Sequence, residues 1–277
     1  MITPMPMTRG RWLALAFGAP PALALIGWIG LSEVAYAGQG SYHVRFDMPV
    51  NSRTVSVSSD QADLTVSRAA GDLRLTGTAH YSLVRSQVTF ERRANGVIVH
   101  SRCRFAATGV CSFDYQVSLP ARLPAFISDG SGDVTLRGTT GRVTASTGSG
   151  NIDASNTSGV LDLEAGSGDV SGTGLAGPRA KLVDHAGDIT FLGVTSADVT
   201  ASNDSGDVTI VFATVPDQVS ITNESGNVTL VLPSSPARYQ LNANTSSGNR
   251  TVTLPTSVRS THAISVSVQS GDISITN

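Results

Sequence analysis

Lysine is almost missing from this sequence: Lys181 stands alone beside eighteen arginines. Charge of either sign is sparse, at 14% of 277 residues, where an average soluble domain carries roughly 25%. No basic cluster interleaved with aromatic residues is present, which argues against a nucleic-acid partner. Tryptophan is confined to Trp12 and Trp28, so the rest of the chain lacks the aromatic platforms that commonly hold sugars. Cysteine occurs twice, and His43, His80, His100, His185 and His262 are dispersed without ligand spacing. Such a set does not supply the four ligands, or three plus water, of a zinc site. No cofactor is expected. No Gly-x-Ser-x-Gly elbow leads from strand into helix, so the many serines do not point to a nucleophile. Asp184-His185, beside a turn, is the nearest approach to an acid–base pair. The chain does not read as an enzyme.

Gly, Ser and Thr take the place of the missing charge, together with many Val and Ile residues and a net charge of −2. Low net charge with abundant β-branched residues opposes disorder and favours a polar β fold. Ahead of it, Trp12–Ser32 carries no charge for 21 residues, preceded by Arg9 and Arg11. That length can cross a bilayer, and the arginines keep the N-terminal side in the cytoplasm. The expectation is a cytoplasmic tail over 1–11 and a signal-anchor over 12–37, giving a single-pass cell-membrane protein with an extracytoplasmic C-terminal domain. The alternative is a signal peptide cut after Ala35-Tyr36-Ala37, and hence secretion. Either way the chain beyond residue 38 is exported, and in an oxidising compartment Cys103 and Cys111 are expected to form a disulfide.

A Gly-Asx turn recurs at Gly132, Gly150, Gly168, Gly187, Gly206, Gly226, Gly248 and Gly271, at intervals of 18 to 23 residues. Seven and five residues before each glycine, all sixteen side chains are apolar. Two and four residues after it the same holds, except at Gly172 and Arg250. Residues between are mostly Thr, Ser or Asp, so each repeat is strand, corner, strand, with one face inward. One such repeat cannot bury enough to stand alone, whereas stacked repeats share a core. The pattern predicts an all-β protein, a parallel β-solenoid with rungs of about 18–23 residues over 121–277. Segment 38–120 is expected to supply the first rungs and a cap: Val55, Val57, Leu64, Val66, Leu73 and Leu75 alternate suitably, Gly71-Asp72 fits the corner template, and "ERRANGVIVH" reads as a hairpin turning at Asn95-Gly96.

At the corner, glycine supplies a backbone shape costly for other residues, and Asp or Asn can bond nearby backbone N–H groups. A second reading is calcium, because Asp169, Asp188 and Asp207 would stack in consecutive rungs about 4.8 Å apart. Substitution of Asn151, Asn227 and Asn249 for carboxylates weakens it.

The serial "SGDV", "SGNV" and "SGDI" turns after an N-terminal apolar segment resemble the "putative-adhesin" or toast-rack β-strand-repeat proteins of the bacterial envelope, and the cysteine pair before "FDYQVSLP" is similar to that of actinobacterial members. The resemblance implies an envelope β-solenoid of unknown function, with some relatives linked to adhesion or envelope stress, and supplies no catalytic residues. The functional expectation is a non-catalytic, adhesin-like scaffold meeting the membrane through its N-terminal segment and meeting a cell-wall polymer or envelope protein with its rod, in an oligomeric state left open. The alternatives are a carbohydrate-active solenoid enzyme, which would need paired carboxylates, and a calcium-binding surface repeat.

Overall fold

The computed structural model describes residues 38–48, 53–93, 96–103 and 110–277. The expected tail and anchor, 1–37, and the turn residue Asn95 lie outside the described residues. Among the described residues all regular structure is β, and no helix is long and apolar enough to cross a membrane. Two long sheets, of 12 and 11 strands, face each other across one core. Each rung contributes one strand to each sheet, and the chain passes between sheets at the Gly-Asx corner.

Alternation explains the core. Val134, Ile152, Val170, Ile189, Val208, Val228 and Ile273 stand in register through successive parallel pairs, and each is at most 1% exposed. In the opposite sheet Ala125, Val143, Leu161, Ala180, Val199, Val219 and Ile264 form the matching column. Identical inward positions thus become vertical neighbours, and backbone N–H and C=O groups pair from rung to rung. Gly172 departs from the apolar pattern for a packing reason. A β-carbon there would meet the Ala154 carbonyl and lie 2.8 Å from Cε1 of Phe191, whose ring fills the space one rung above.

At both ends the spatial order differs from the chain order. The final repeat, Ala263–Ser270 and Ile273–Thr276, does not stack beyond the preceding one. It is inserted between Gln218–Ser225/Val228–Val231 and Gln240–Ser247/Arg250–Val252. Arg250 therefore lies on the outermost rung, where it is exposed and costs no buried charge. This is the second departure from the apolar pattern, and its cause is position.

At the other end, Gly96–Arg102 and Cys111–Pro120 form a rung beneath Thr54–Ser59/Ala62–Ala69, although they follow it in the chain. Its corner is closed by the Cys103–Cys111 disulfide, with Cα atoms 5.9 Å apart. Antiparallel strands complete this end. Leu73–Ser82 and Gln39–Met48 extend one sheet, and Gln87–Arg93 extends the other as the hairpin partner of Gly96–Arg102. Phe46 stacks on Phe90 at 4.6 Å between ring centroids, closing the core between the two terminal strands.

Here the template misreads Gly71-Asp72. Leu64 pairs with Val134, so it lies after a corner, and that corner is Asp60-Gln61, without glycine. Leu73–Ser82 belongs to the same sheet as Ala62–Ala69. Gly71 therefore marks a turn within one sheet. A β-carbon there would meet nothing within 4 Å.

Candidate functional site

The repeated corner is built twice over for glycine. All eight corner glycines have φ between 122° and 158°, a region L residues avoid. They also stack so closely that a β-carbon on Gly206 would run into the carbonyl of Gly187. The Asx residue that follows uses this stacking. Each donates its backbone N–H to Oδ1 of the Asx one rung away: Asp133 to Asp63 at 3.0 Å, Asn151 to Asp133 at 2.8 Å, and Asp169 to Asn151 at 2.8 Å. The series continues with Asp188 to Asp169, Asp207 to Asp188 and Asn227 to Asp207, at 2.7–2.9 Å. It then follows the spatial order, from Asp272 to Asn227 and from Asn249 to Asp272.

The acceptor at every step is Oδ1, which Asp and Asn share, so either can hold the position; Asn227 and Asn249 add a longer Nδ2–H bond to Oδ1 of Asp207 and Asp272. Asp169, Asp188 and Asp207 do stand in consecutive rungs, each with one oxygen engaged by the next backbone. Among the described residues no three His, Cys, Asp or Glu side chains are grouped so as to hold a metal ion. Asp63, the first member, escapes the glycine template because its corner has none.

Beside this column, outward-facing His185 bridges neighbouring rungs. Its Nδ1 lies 2.6 Å from Asp204 and its Nε2 3.8 Å from Glu164, all three about half exposed. The hydrogen bond to Asp204 raises the His185 pKa. Asp184 and His185 do not pair as acid and base: Asp184, the last residue of Ala176–Asp184, is fully buried, and His185, at the turn that follows, is exposed. The arrangement is an open ion-pair ladder on a flat face. A cavity of about 480 Å³ lies elsewhere, over the outer face of the first strands between His43, Asp63, Thr78 and Asp114.

A second, interior column went unread in the sequence. The residue three before each corner glycine shares the inward face of those seven and five before it. Polar residues occupy five of its eight positions, Asp129, Thr147, Asp184, Asn203 and Asn223, each at most 4% exposed, and Ala165, Thr245 and Val268 hold the others. Thr147, Asn203 and Asn223 donate to the carbonyls of Gly132, Gly187 and Gly206. Asp129 instead accepts the Ala62 N–H at 3.0 Å. Burial pushes the carboxyls up, Asp129 to about 7 and Asp184 to about 6. Parity alone would have revealed this column.

Residues 125–276, more than half of the chain, match the model of the family described as Toastrack DUF4097. The chain belongs to the Toastrack DUF4097 family. Solved structures are also similar to the toast-rack chain, among them the following three. One described as a "putative adhesin" from Bacteroides fragilis is 15% identical, with 85% of this chain and 97% of that chain covered and a TM-score of 0.48. A "putative adhesin" from Parabacteroides distasonis is 12% identical, covering 84% and 97%, with a TM-score of 0.47. A "putative lipid binding protein" from the same organism is 13% identical, covering 84% and 96%, with a TM-score of 0.45. No curated protein is significantly similar to the toast-rack chain.

Proposed function

We propose that this toast-rack protein is a non-catalytic, adhesin-like scaffold of the cell envelope, held in the membrane by Trp12–Ser32 and presenting its rod to a cell-wall polymer or an envelope protein. The observation that carries the reading is the corner column. Asp169, Asp188 and Asp207, the residues best placed for chemistry by their repetition, each commit an oxygen to the neighbouring backbone. What remains for a partner is extended: outward-facing Thr, Ser and Asp side chains, most of the Thr and Ser half-buried, recurring rung by rung. Such a surface suits repeated weak contacts along a polymer, whose sum grows with the number engaged. The charge pattern of the N-terminal run supports the membrane placement and export in this reading.

The test is capture. Full-length protein in detergent would be incubated with isolated cell-wall polymer and with solubilised envelope proteins, alongside a variant with the outward Thr and Ser of the middle rungs changed to Lys. Saturable retention lost in that variant is the expected result. No retention of either material, together with hydrolysis of a polysaccharide by the purified chain, would replace the scaffold with an enzyme.

A further inference from the structure

Large apolar side chains are rarely exposed in this rod. Of six among the described residues, Phe126, Leu192 and Val258 are separated along it, whereas Leu83, Val84 and Val110 gather at one end. Single exposed apolar residues need no explanation, but a cluster does.

The cluster surrounds the point where the described chain begins. Leu83 donates its backbone N–H to the Gly38 carbonyl at 3.2 Å. Val110 lines a shallow recess with Gln39, Gly40 and Tyr81. Tyr81 lies in register with both Gly40 and Cys111, tying the disulfide-closed corner to the first strand. Leu83 is unusual in a second way. It is half exposed with φ 61°, a left-handed turn position that favours Gly or Asn. An aliphatic residue there gains nothing from its backbone and nothing from the core.

What lies nearby is set by the chain itself. The uncharged run ends at Ser32, and the six steps from there to Gly38 reach at most about 20 Å when fully extended. Headgroups occupy roughly 6 Å on each side of the hydrocarbon. A short tether therefore holds this end against the lipid surface, and at high effective concentration even a few aliphatic side chains engage it. The neighbouring residues suit an interface. Arg85 follows the aliphatic pair and lies 4.1 Å over the Tyr42 ring, and Tyr42 packs against Tyr81. Tyrosine and arginine are the side chains that settle at headgroup level.

We propose that Leu83, Val84 and Val110 form a membrane-seating tip that rests in the headgroup layer of the bilayer and fixes the angle at which the rod leaves the surface. This rests on the anchoring proposed above. It adds that the folded domain contacts lipid directly rather than hanging free on its tether.

The experiment uses the full chain in phospholipid vesicles carrying nitroxide-labelled headgroups. Cys103 and Cys111 are joined, so a cysteine introduced by V84C or V258C is the one free thiol and takes a fluorophore. Flotation with the vesicles and several-fold stronger quenching at position 84 than at 258 are expected. Leu83→Asn, combined with V84C, should abolish the excess quenching while leaving flotation intact. The same change should raise the melting temperature, because Asn suits the left-handed turn; a purely structural Leu83 would move it the other way. Flotation with equal quenching at both sites overturns the seating tip and leaves the anchor standing. Failure to float overturns both.

Discussion

Asn203 stands directly above Asp184 in the interior column and gives its amide N–H to the Gly187 carbonyl at 3.0 Å, a bond that ionised Asp184 has no donor to copy. Asp184 keeps Oδ1 within 3.3 Å of the Ala186 N–H, while Oδ2 is buried without a protein partner. Burial raises its pKa from 3.8 to about 6, so the folded state holds a proton that the unfolded state releases. Stability then falls as pH rises from about 3.8 to about 6 and stays reduced above it. Asp184→Asn removes this penalty and supplies an N–H toward the Gly168 carbonyl. At 1.36 kcal/mol per pKa unit the gain at pH 7 is up to about 3 kcal/mol. Thermal melts at pH 4 and pH 7.5 should show the variant's advantage growing with pH; an advantage independent of pH would contradict the cause given.

Gly206→Ala and Gly71→Ala are chemically the same change with opposite expected results. Gly206 combines φ 130° with contact against the Gly187 carbonyl, whereas Gly71 has open space and no positive φ. Backbone strain of about 1–3 kcal/mol plus the clash should lower the urea midpoint sharply for Gly206→Ala. Gly71→Ala should stay within about 1 kcal/mol of the parent.

The corner column requires an acceptor rather than a charge. Asp188→Asn keeps Oδ1 for the Asp207 N–H and should leave stability nearly unchanged, while Asp188→Ala should cost about 1 kcal/mol. Melting in calcium and in chelator should coincide. A calcium-dependent rise that disappeared in Asp188→Asn would establish a cation on Asp169, Asp188 and Asp207.

Reduction of Cys103–Cys111 opens the corner of the lowest rung. Closing so short a loop contributes about 2–3 kcal/mol. In a stacked structure the loss is felt mainly by neighbours. Hydrogen exchange should accelerate in Gly96–Arg102 and Cys111–Pro120 and change little beyond Val143–Ser149.

The repeat was legible because inward positions recur at a fixed distance from a glycine, and burial enforces that spacing at Val134, Ile152, Val170, Ile189 and Val208 alike. The order of rungs at the ends was not. Every rung offers the same register to its neighbours, so the spacing fits either order of the Gly248 and Gly271 repeats; Arg250 was the one local mark of an outer position. Gly71-Asp72 matched the corner in letters but not in conformation. The ladder on Asp169, Asp188 and Asp207 was visible as a stack, while the hydrogen bond that makes Asn equivalent to Asp depends on backbone direction, which the residue types do not specify. The buried Asp184 was hidden by its polarity, which disguised an inward position.

The displaced final repeat makes the far end of the rod depend on residues 263–276, which lie between its outermost rung and the rung at 218–231. Without residues 263–276, the segment 240–252 loses the strands it pairs with in the folded structure. Cutting the chain after residue 258 would thus undo two storeys rather than one. That inserted piece works as a keystone, holding a storey that precedes it in the chain.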